Sequence, residues 1–378
     1  MEKTQAIELV HALLRGMNEQ KASDVFITAG FPPAFKIDGQ LTPVSSQALT
    51  PQQTVTLAHS VMNEHQLKEF NETRECNFSL NLTDIGRFRV NVFMQQQCVG
   101  IVFRTITTKI PDIDALGLPP MLKDLVMSKR GLVLLVGSTG TGKSTTLAAM
   151  VGHRNQNSRG HIITVEDPVE FVHEHINCIV TQREIGVDTE SWGAALKNML
   201  RQAPDVILIG EIRDRETMDQ AIAFAETGHL CLSTLHANNA NQALDRIVNF
   251  FPEDRREQLL MDLSLNTRAL VSQRLIPKKN GKGRVAAFEI MLNSPLIADL
   301  IFKGQLTDIK GVMTQSREFG MLTFDQSLFD LFEAGEISYE DALRNADSVN
   351  DLRLRIKLES KTSKNTDLLS GTKHLEIT

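Results

Sequence analysis

Gly137 and Gly142 bracket four residues and are followed at once by Lys143 and Ser144, within the run GSTGTGKSTT. Glycines at that spacing let consecutive backbone N–H groups converge on one point, where anionic oxygen binds well. The run lies between the apolar LVLLV and the helical STTLAAMV, the strand–loop–helix setting that a phosphate cradle requires. Gly137, Ser138, Thr139, Gly140, Thr141, Gly142, Lys143, Ser144 and Thr145 are therefore the expected contacts to nucleotide phosphates. Lys143 would reach the β- and γ-phosphates of ATP, and the Ser144 hydroxyl would ligate Mg2+.

Cleaving a phosphate bond needs more than binding it. In an open α/β sheet the groups that do so emerge at the C-terminal ends of strands beside the cradle. DVILIGEIRD reads as a buried strand ending in Glu211, whose carboxylate could polarise attacking water or hold magnesium through one. Many phosphate-binding loops are served by an aspartate one residue earlier, where this chain has Gly210. TVEDPVE offers Glu166, Asp167 and Glu170 for part of that work, although a solvated turn or a helix N-cap would also use these residue types. AETGHLCLSTLHANNA places His229 and His236 at the two ends of a short strand. Strand-end histidines are more often structural than catalytic, but two around one strand of a nucleotide-binding sheet suggest that at least one senses the γ-phosphate. Thr234 and Asn238 would complete a relay.

The elements that position these groups fall into two sets. In the first part of the chain, QAIELVHALLRGM puts Ile7, Val10, Leu14 and Met17 on one helical face, and DVFITA and AFKIDGQL read as strands, the second turning at Asp38-Gly39. TPQQ supplies an N-cap Thr50, Pro51 at the first helical position and Gln53 to close a capping box, so a helix through Met62 is expected. Phe88, Val90, Val92 and Met94 alternate with Arg87, Arg89 and Asn91, the pattern of a half-buried strand. If that strand and GIVFRTI form a hairpin turning at Gln96-Gln97, Arg89 and Arg104 face each other. Like charges in that position need an anion or a carboxylate between them, either a γ-phosphate or a surface glutamate. The breaker-rich TTKIPDIDALGLPP then reads as a linker. Beyond it, GLVLLVG, HIITVE, DVILIGE and HLCLSTLH alternate with helical stretches, the signature of a parallel sheet covered by helices. The expected organisation is an N-terminal domain over 1–106, a linker over 107–120, an α/β nucleotide-binding domain over 121–360 and a disordered polar tail over 361–378.

Composition narrows the function. A net charge of −6 gives no long-range attraction to nucleic acid, so none is expected as a partner. No apolar run approaches the ~20 residues of a membrane span, and MEKTQAIELV lacks the features of a secretion signal, so a cytoplasmic protein is expected. Cys76, Cys98, Cys178 and Cys231 are scattered without a CxxC pair, which suits reduced, buried thiols better than a zinc site.

Taken together, GSTGTGKST, TVEDPVEF, TQREIGVDT, APDVILIGEIRD and AETGHLCLSTLHANNA resemble the secretion ATPases of type II secretion and type IV pili. From ASDVFITAGFPPAFKIDG onward the chain is similar to the PilT/PilU retraction ATPases, over about residues 1–345. The resemblance implies a PAS-like α+β N-terminal domain, a RecA-like C-terminal domain and a homo-hexameric ring. It makes Gly137–Ser144 the Walker A loop, Glu166–Glu170 the Asp box, Glu211 the Walker B glutamate, and His229 with His236 the His box. Glu166, Glu211 and His229 become the catalytic candidates, and Arg89 and Arg104 the arginines that reach the nucleotide, which favours the phosphate as their anion. The implied activity is ATP hydrolysis powering pilus retraction and twitching motility, as an accessory to a paralogous PilT-type motor. The expected location is cytoplasmic, peripherally associated with the inner-membrane pilus machinery and its platform protein. Extension and type II secretion ATPases are the nearest alternatives, but most carry a four-cysteine zinc module and a longer N-terminal region, both lacking in this chain. A non-hydrolysing assembly module and a nucleic-acid translocase remain further alternatives. The chain departs from PilT in reading LIADLIFKGQ at 296–305, where PilT proteins have a signature resembling AIRNLI, and in having Phe26 where relatives often have histidine. With the polar tail, these features lean towards the PilU branch. Leu296, Leu300 and Ile301 would face inward if LIADLIFKGQ is simply an amphipathic helix.

Overall fold

The computed structural model describes residues 2–37, 39–106 and 110–360. It divides into two compact units. The first comprises the chain to Ile110 together with Glu166–His173 and Gln182–Ser191; the second comprises Pro111–Val165, Glu174–Thr181 and the chain from Trp192. Residues 107–109 of the expected linker and the expected tail 361–378 lie outside the described residues.

The sheet of the first unit contains β1 (Asp24–Ile27), β2 (Ala34–Ile37), β3 (Gln40–Pro43), β4 (Glu75–Leu82), β5 (Gly86–Gln95) and β6 (Cys98–Ile106). Its order is β3-β2-β1-β6-β5-β4, antiparallel throughout. Ile37 pairs with Gln40, and Gly39 has φ +83°; Asp38 of the expected turn lies outside the described residues. The β5–β6 turn falls at Gln96-Gln97, both with positive φ as a two-residue hairpin demands, and that register places Arg89 opposite Arg104. The helix Pro51–Val61 starts as its residues dictate, with Thr50 and Gln53 exchanging capping-box bonds behind Pro51. With the helix Lys3–Glu19 it covers one face of the sheet, where Leu14, Met17, Leu57, Phe88, Val92 and Phe103 form the core.

Seven further strands follow: β7 (Gly131–Val136), β8 (Gly160–Glu166), β9 (Cys178–Glu184), β10 (Val206–Ile209), β11 (Leu230–Leu235), β12 (Thr267–Pro277) and β13 (Arg284–Leu292). They lie in the order β13-β12-β7-β11-β10-β8-β9. From β12 through β8 every pairing is parallel, and β13 returns antiparallel along β12. β7, β10 and β11 are buried at every residue, which is why they read as continuous apolar runs rather than alternating ones. Segment 111–120, expected as part of a linker, sends Ile113 and Leu118 into this core. A separate apolar cluster joins Ile276 and Ala287 to Phe324, Leu328, Leu352 and Ile356 of the C-terminal helices.

The helix Pro295–Phe302 buries Ile297, Leu300 and Ile301 but leaves Leu296 and Phe302 exposed, so the expectation of an inward Leu296 is corrected. Ser294 caps the Ile297 N–H and Pro295 holds the first helical position, and Ile297, Leu300 and Ile301 form the i, i+3, i+4 stripe that is buried. Cys76, Cys178 and Cys231 are buried, Cys98 is partly so, and all four are free thiols. Among the described residues no helix is long and apolar enough to cross a membrane.

Candidate functional site

The phosphate-cradle motif occupies the C-terminal end of β7. Gly137 N–H donates to Leu235 O at 3.2 Å, tying the loop to the neighbouring β11, and the helix Lys143–Asn157 starts at the motif lysine. Gly142 caps that helix at φ +90°, where a Cβ would lie 2.9 Å from Gln273 Nε2; a Cβ on Gly137 would lie 2.5 Å from Thr141 Oγ1. Gly137 is thus required by close approach, while Gly140 (φ +79°) and Gly142 are required by their left-handed backbone. Lys143 is buried, and its Nζ donates to Gly137 O and Ser138 O, each at 2.8 Å, which arches the loop over its own ammonium. Thr141 Oγ1 closes the arch on Ser138 O at 2.9 Å. Ser144 and Thr145 stand half-buried on the first helical turn. The side chain of Gln273 on β12 accepts from Thr146 Oγ1 at 2.8 Å and so fixes the helix against the sheet; no local motif marks it in the sequence.

Glu211 lies two strands away at the same sheet edge. β10 ends at Ile209 rather than at Glu211, because Gly210 N–H still bonds to Val165 O while Ile212 N–H turns to Thr234 O. The glutamate is thereby carried on the loop just past the sheet. Its Oε1 lies 3.1 Å from His236 Nε2, and its Oε2 accepts from Arg213 Nε at 2.9 Å. Burial, reinforced by the Lys143 ammonium and opposed by Glu211, lowers the pKa of His236. The imidazole is therefore neutral at pH 7, and Nε2 must carry the proton that it donates to the carboxylate. Thr234 Oγ1 donates to Gly210 O at 2.8 Å, and Arg246 Nη1 donates to His236 O at 2.9 Å. His236, Asn238 and Arg246 line, with Ser138 and Thr139, an open cleft of about 390 Å³.

The two histidines are not brought together. β11 runs parallel to β7 with Leu230 beside Gly131 and Leu235 beside Val136, so His229 stands at the edge opposite the cradle. Seven steps at ~3.3 Å each separate it from His236 by roughly 23 Å. His229 O accepts from Gly131 N–H at 3.0 Å, and its Nδ1 lies 3.1 Å from Thr227 Oγ1 and 3.2 Å from Phe224 O. In this chain His229 stands at the entry of β11, and His236 at its cradle end.

Glu166 is the last residue of β8, where Val165 pairs with Ile209, and its Oε1 lies 3.4 Å from Gln182 Nε2. Asp167 and Glu170 follow it, both exposed. In the same unit the buried Glu184 accepts from Ser79 Oγ at 2.7 Å, Arg87 Nη2 at 3.1 Å and Val169 N–H at 3.1 Å. It thus clasps the stretch carrying Glu166 and Asp167 to β4 and β5. His173, further along that stretch, has its pKa lowered to about 4 by burial.

On the first unit's sheet, Arg104 Nε pairs with Asp24 Oδ1 at 2.7 Å, directly across from it on β1. The carboxylate beside Arg104 is thus a buried strand aspartate rather than a surface glutamate. Arg89 is exposed and has no ion-pair partner among the described residues.

A second cavity of about 550 Å³ adjoins the cradle at Gly142 and Thr145, walled by Leu116, Leu118 and Leu275. Two of its walls come from the stretch read as a linker.

The family model of the type II/IV secretion system protein matches residues 1–315. The type IV pilus ATPase PilU of Pseudomonas aeruginosa is 60% identical over 350 residues, covering 93% of this chain and 92% of that protein. The type IV pilus retraction ATPase PilT of the same organism is 42% identical, covering 88% of this chain and 97% of its own length. Among solved structures, the pilus retraction motor PilT with bound ADP aligns over 91% of this chain and 99% of its own, with a TM-score of 0.86 and 40% identity. Fold, motif loop and relatives agree, and the chain belongs to the type II/IV secretion ATPase family, in its PilT/PilU group.

Proposed function

We propose that this protein is an ATP-hydrolysing motor of type IV pilus retraction, acting beside a PilT-type ATPase. The observation that carries the hydrolytic reading is Glu211, whose two carboxylate oxygens are held by His236 and Arg213 at the edge of the cleft that Ser138 and Thr139 enter. Relatives named as pilus ATPases at 60% and 42% identity carry the assignment to pili.

The residues fit a nucleoside triphosphate with magnesium. A glycine-lined loop in front of a 15-residue helix offers backbone donors and positive potential to phosphate, and the second cavity's leucine walls suit the base. The Ser144 hydroxyl on the first helical turn and the phosphates themselves would hold the cation. Magnesium, when bound, would neutralise charge on the β- and γ-phosphate oxygens. Lys143 would then exchange its bonds to the loop carbonyls for phosphate oxygen. Glu211 orients the attacking water and accepts its proton, His236 holds that carboxylate's aim, and Glu166 would serve as a second carboxylate. Arg89 and Arg104 are the first unit's contribution to phosphate neutralisation, Arg89 being the freer because Arg104 already meets Asp24. A homo-hexameric ring, peripherally attached to the inner-membrane platform protein from the cytoplasm, completes the proposal. The domain scheme is 1–106 for the N-terminal part and 121–360 for the ATPase part.

Steady-state hydrolysis and nucleotide affinity of two variants test this reading. Lys143→Ala is expected to lose nucleotide binding, whereas Glu211→Gln binds ATP normally and turns over about 10²-fold more slowly or worse. Near-normal turnover by Glu211→Gln would remove that residue from catalysis.

A further inference from the structure

Consecutive residues of β12 point to opposite faces of the sheet, and here they serve two different neighbours. Gln273 holds the cradle helix through Thr146. Arg274, on the other face, donates from Nη2 to Asn238 O at 3.2 Å and to Asp347 Oδ1 at 2.8 Å, and from Nη1 to Asn345 O at 2.6 Å. Its guanidinium lies 3.9 Å from the centroid of the Phe324 ring. One planar fork thus joins a carbonyl of the loop lining the cleft to the C-terminal helical region.

Both ends of this connection are anchored. On the loop side, His236 O is held by Arg246, Asn238 O by Arg274, and the Ala240 N–H by the buried Glu289 at 2.7 Å. On the helical side, Asp347 also pairs with Lys310 Nζ at 2.7 Å, while the N–H groups of Asp347 and Ser348 donate to the Asp325 carboxylate at 2.8 and 3.1 Å. Burial opposes ionisation of Asp347, but Lys310 and Arg274 outweigh it and hold its carboxyl below the usual range. The anchor is therefore a charged, oriented acceptor. Arginine suits the bridge because its donors reach two carbonyls and a carboxylate at once, which a single ammonium cannot do in this geometry.

We propose that Arg274 is a positioning residue for hydrolysis: by holding the Asn238 carbonyl to Asn345 and Asp347, it sets His236 against Glu211 and makes that setting follow the C-terminal helices. The inference rests on the reading of Glu211 as the residue that orients water. A displacement of those helices by a neighbouring subunit or by the pilus machinery would then reach the γ-phosphate end of the site through one side chain.

The test uses the full-length protein with Arg274→Lys, Asp347→Asn and Glu211→Gln, measuring kcat, KM, nucleotide affinity and thermal unfolding. Arg274→Lys keeps a cation for Asp347 but loses the fork, so kcat is expected to fall about 10-fold while KM and affinity stay within about two-fold. Asp347→Asn leaves the Asn238 and Asn345 bonds possible but removes the charged anchor, and kcat is expected to fall about three-fold with the same constant KM. A kcat within about two-fold of wild type in both variants, or a fall matched by weaker nucleotide binding, overturns the proposal whatever the unfolding temperature does. Should Arg274→Lys fail to fold, Asp347→Asn alone decides by the same criterion. Glu211→Gln separates the two levels: its retained activity would sink the underlying reading, whereas its inactivity beside a normal Arg274→Lys sinks only the positioning role.

Discussion

Glu211 is useful only if its carboxylate stays aimed, and two partners share that work. Arg213 supplies the positive charge, while neutral His236 supplies direction through a single N–H. His236→Ala is therefore expected to lower kcat by about 10- to 100-fold with nucleotide affinity retained. His229→Ala, at the far edge of the sheet, should leave kcat within about two-fold and cost at most about 1 kcal/mol of stability through its lost local bonds. Parallel measurement of kcat and unfolding free energy checks both, and equal losses of kcat would refute the distinction. The histidine pair also shows what sequence can and cannot resolve. Spacing showed that the two residues flank one strand, but flanking a strand puts them at opposite edges, and only the direction of β11 relative to β7 decides which is near phosphate. Asp24, Glu184 and Gln273 were illegible for a related reason. Their partners Arg104, Ser79 and Thr146 lie 80, 105 and 127 positions away in the chain, beyond any local pattern.

Elements were legible wherever one local rule sufficed. The capping box at Thr50, the turn at Gln96-Gln97 and the continuous apolar strands all follow from neighbours in sequence. The phase of Pro295–Phe302 was not, since Leu296 and Ile297 are both apolar and only packing against the rest of the chain decides which is buried. The packing of β13 against the helix Ala240–Asn249 leads to a prediction of its own. Glu289 on β13 accepts the first N–H of that helix, and burial raises its pKa from 4.5 to about 7, with the Ala240 N–H working against the rise. Below about pH 4.5 the carboxyl is protonated in both folded and unfolded chains. As pH rises from there to about 7, the unfolded chain releases the proton that the folded chain retains, so this group's contribution to stability is lost across that window. Glu289→Gln keeps an acceptor for Ala240 without the buried charge. It is expected to match wild type near pH 4 and to exceed it by up to about 3 kcal/mol at pH 8, by denaturant titration across that range. A difference that does not change with pH would contradict the account.

At the scale of the whole molecule, hydrolysis and mechanical work are proposed as separable tasks. The cradle, Glu211 and His236 share one edge of the sheet, whereas the helix Pro295–Phe302 presents Leu296 and Phe302 to solvent. A chain built this way is expected to add its own ATP-driven force while a PilT-type partner engages the platform. Cells that keep this protein but lack the partner should therefore extend pili and retract them poorly. The most direct measurement is imaging of labelled pili in cells whose PilT-type partner is present but cannot hydrolyse ATP, with this protein either intact or carrying Glu211→Gln. The account predicts retraction with the intact protein and none with Glu211→Gln; absence of retraction in both strains would contradict it.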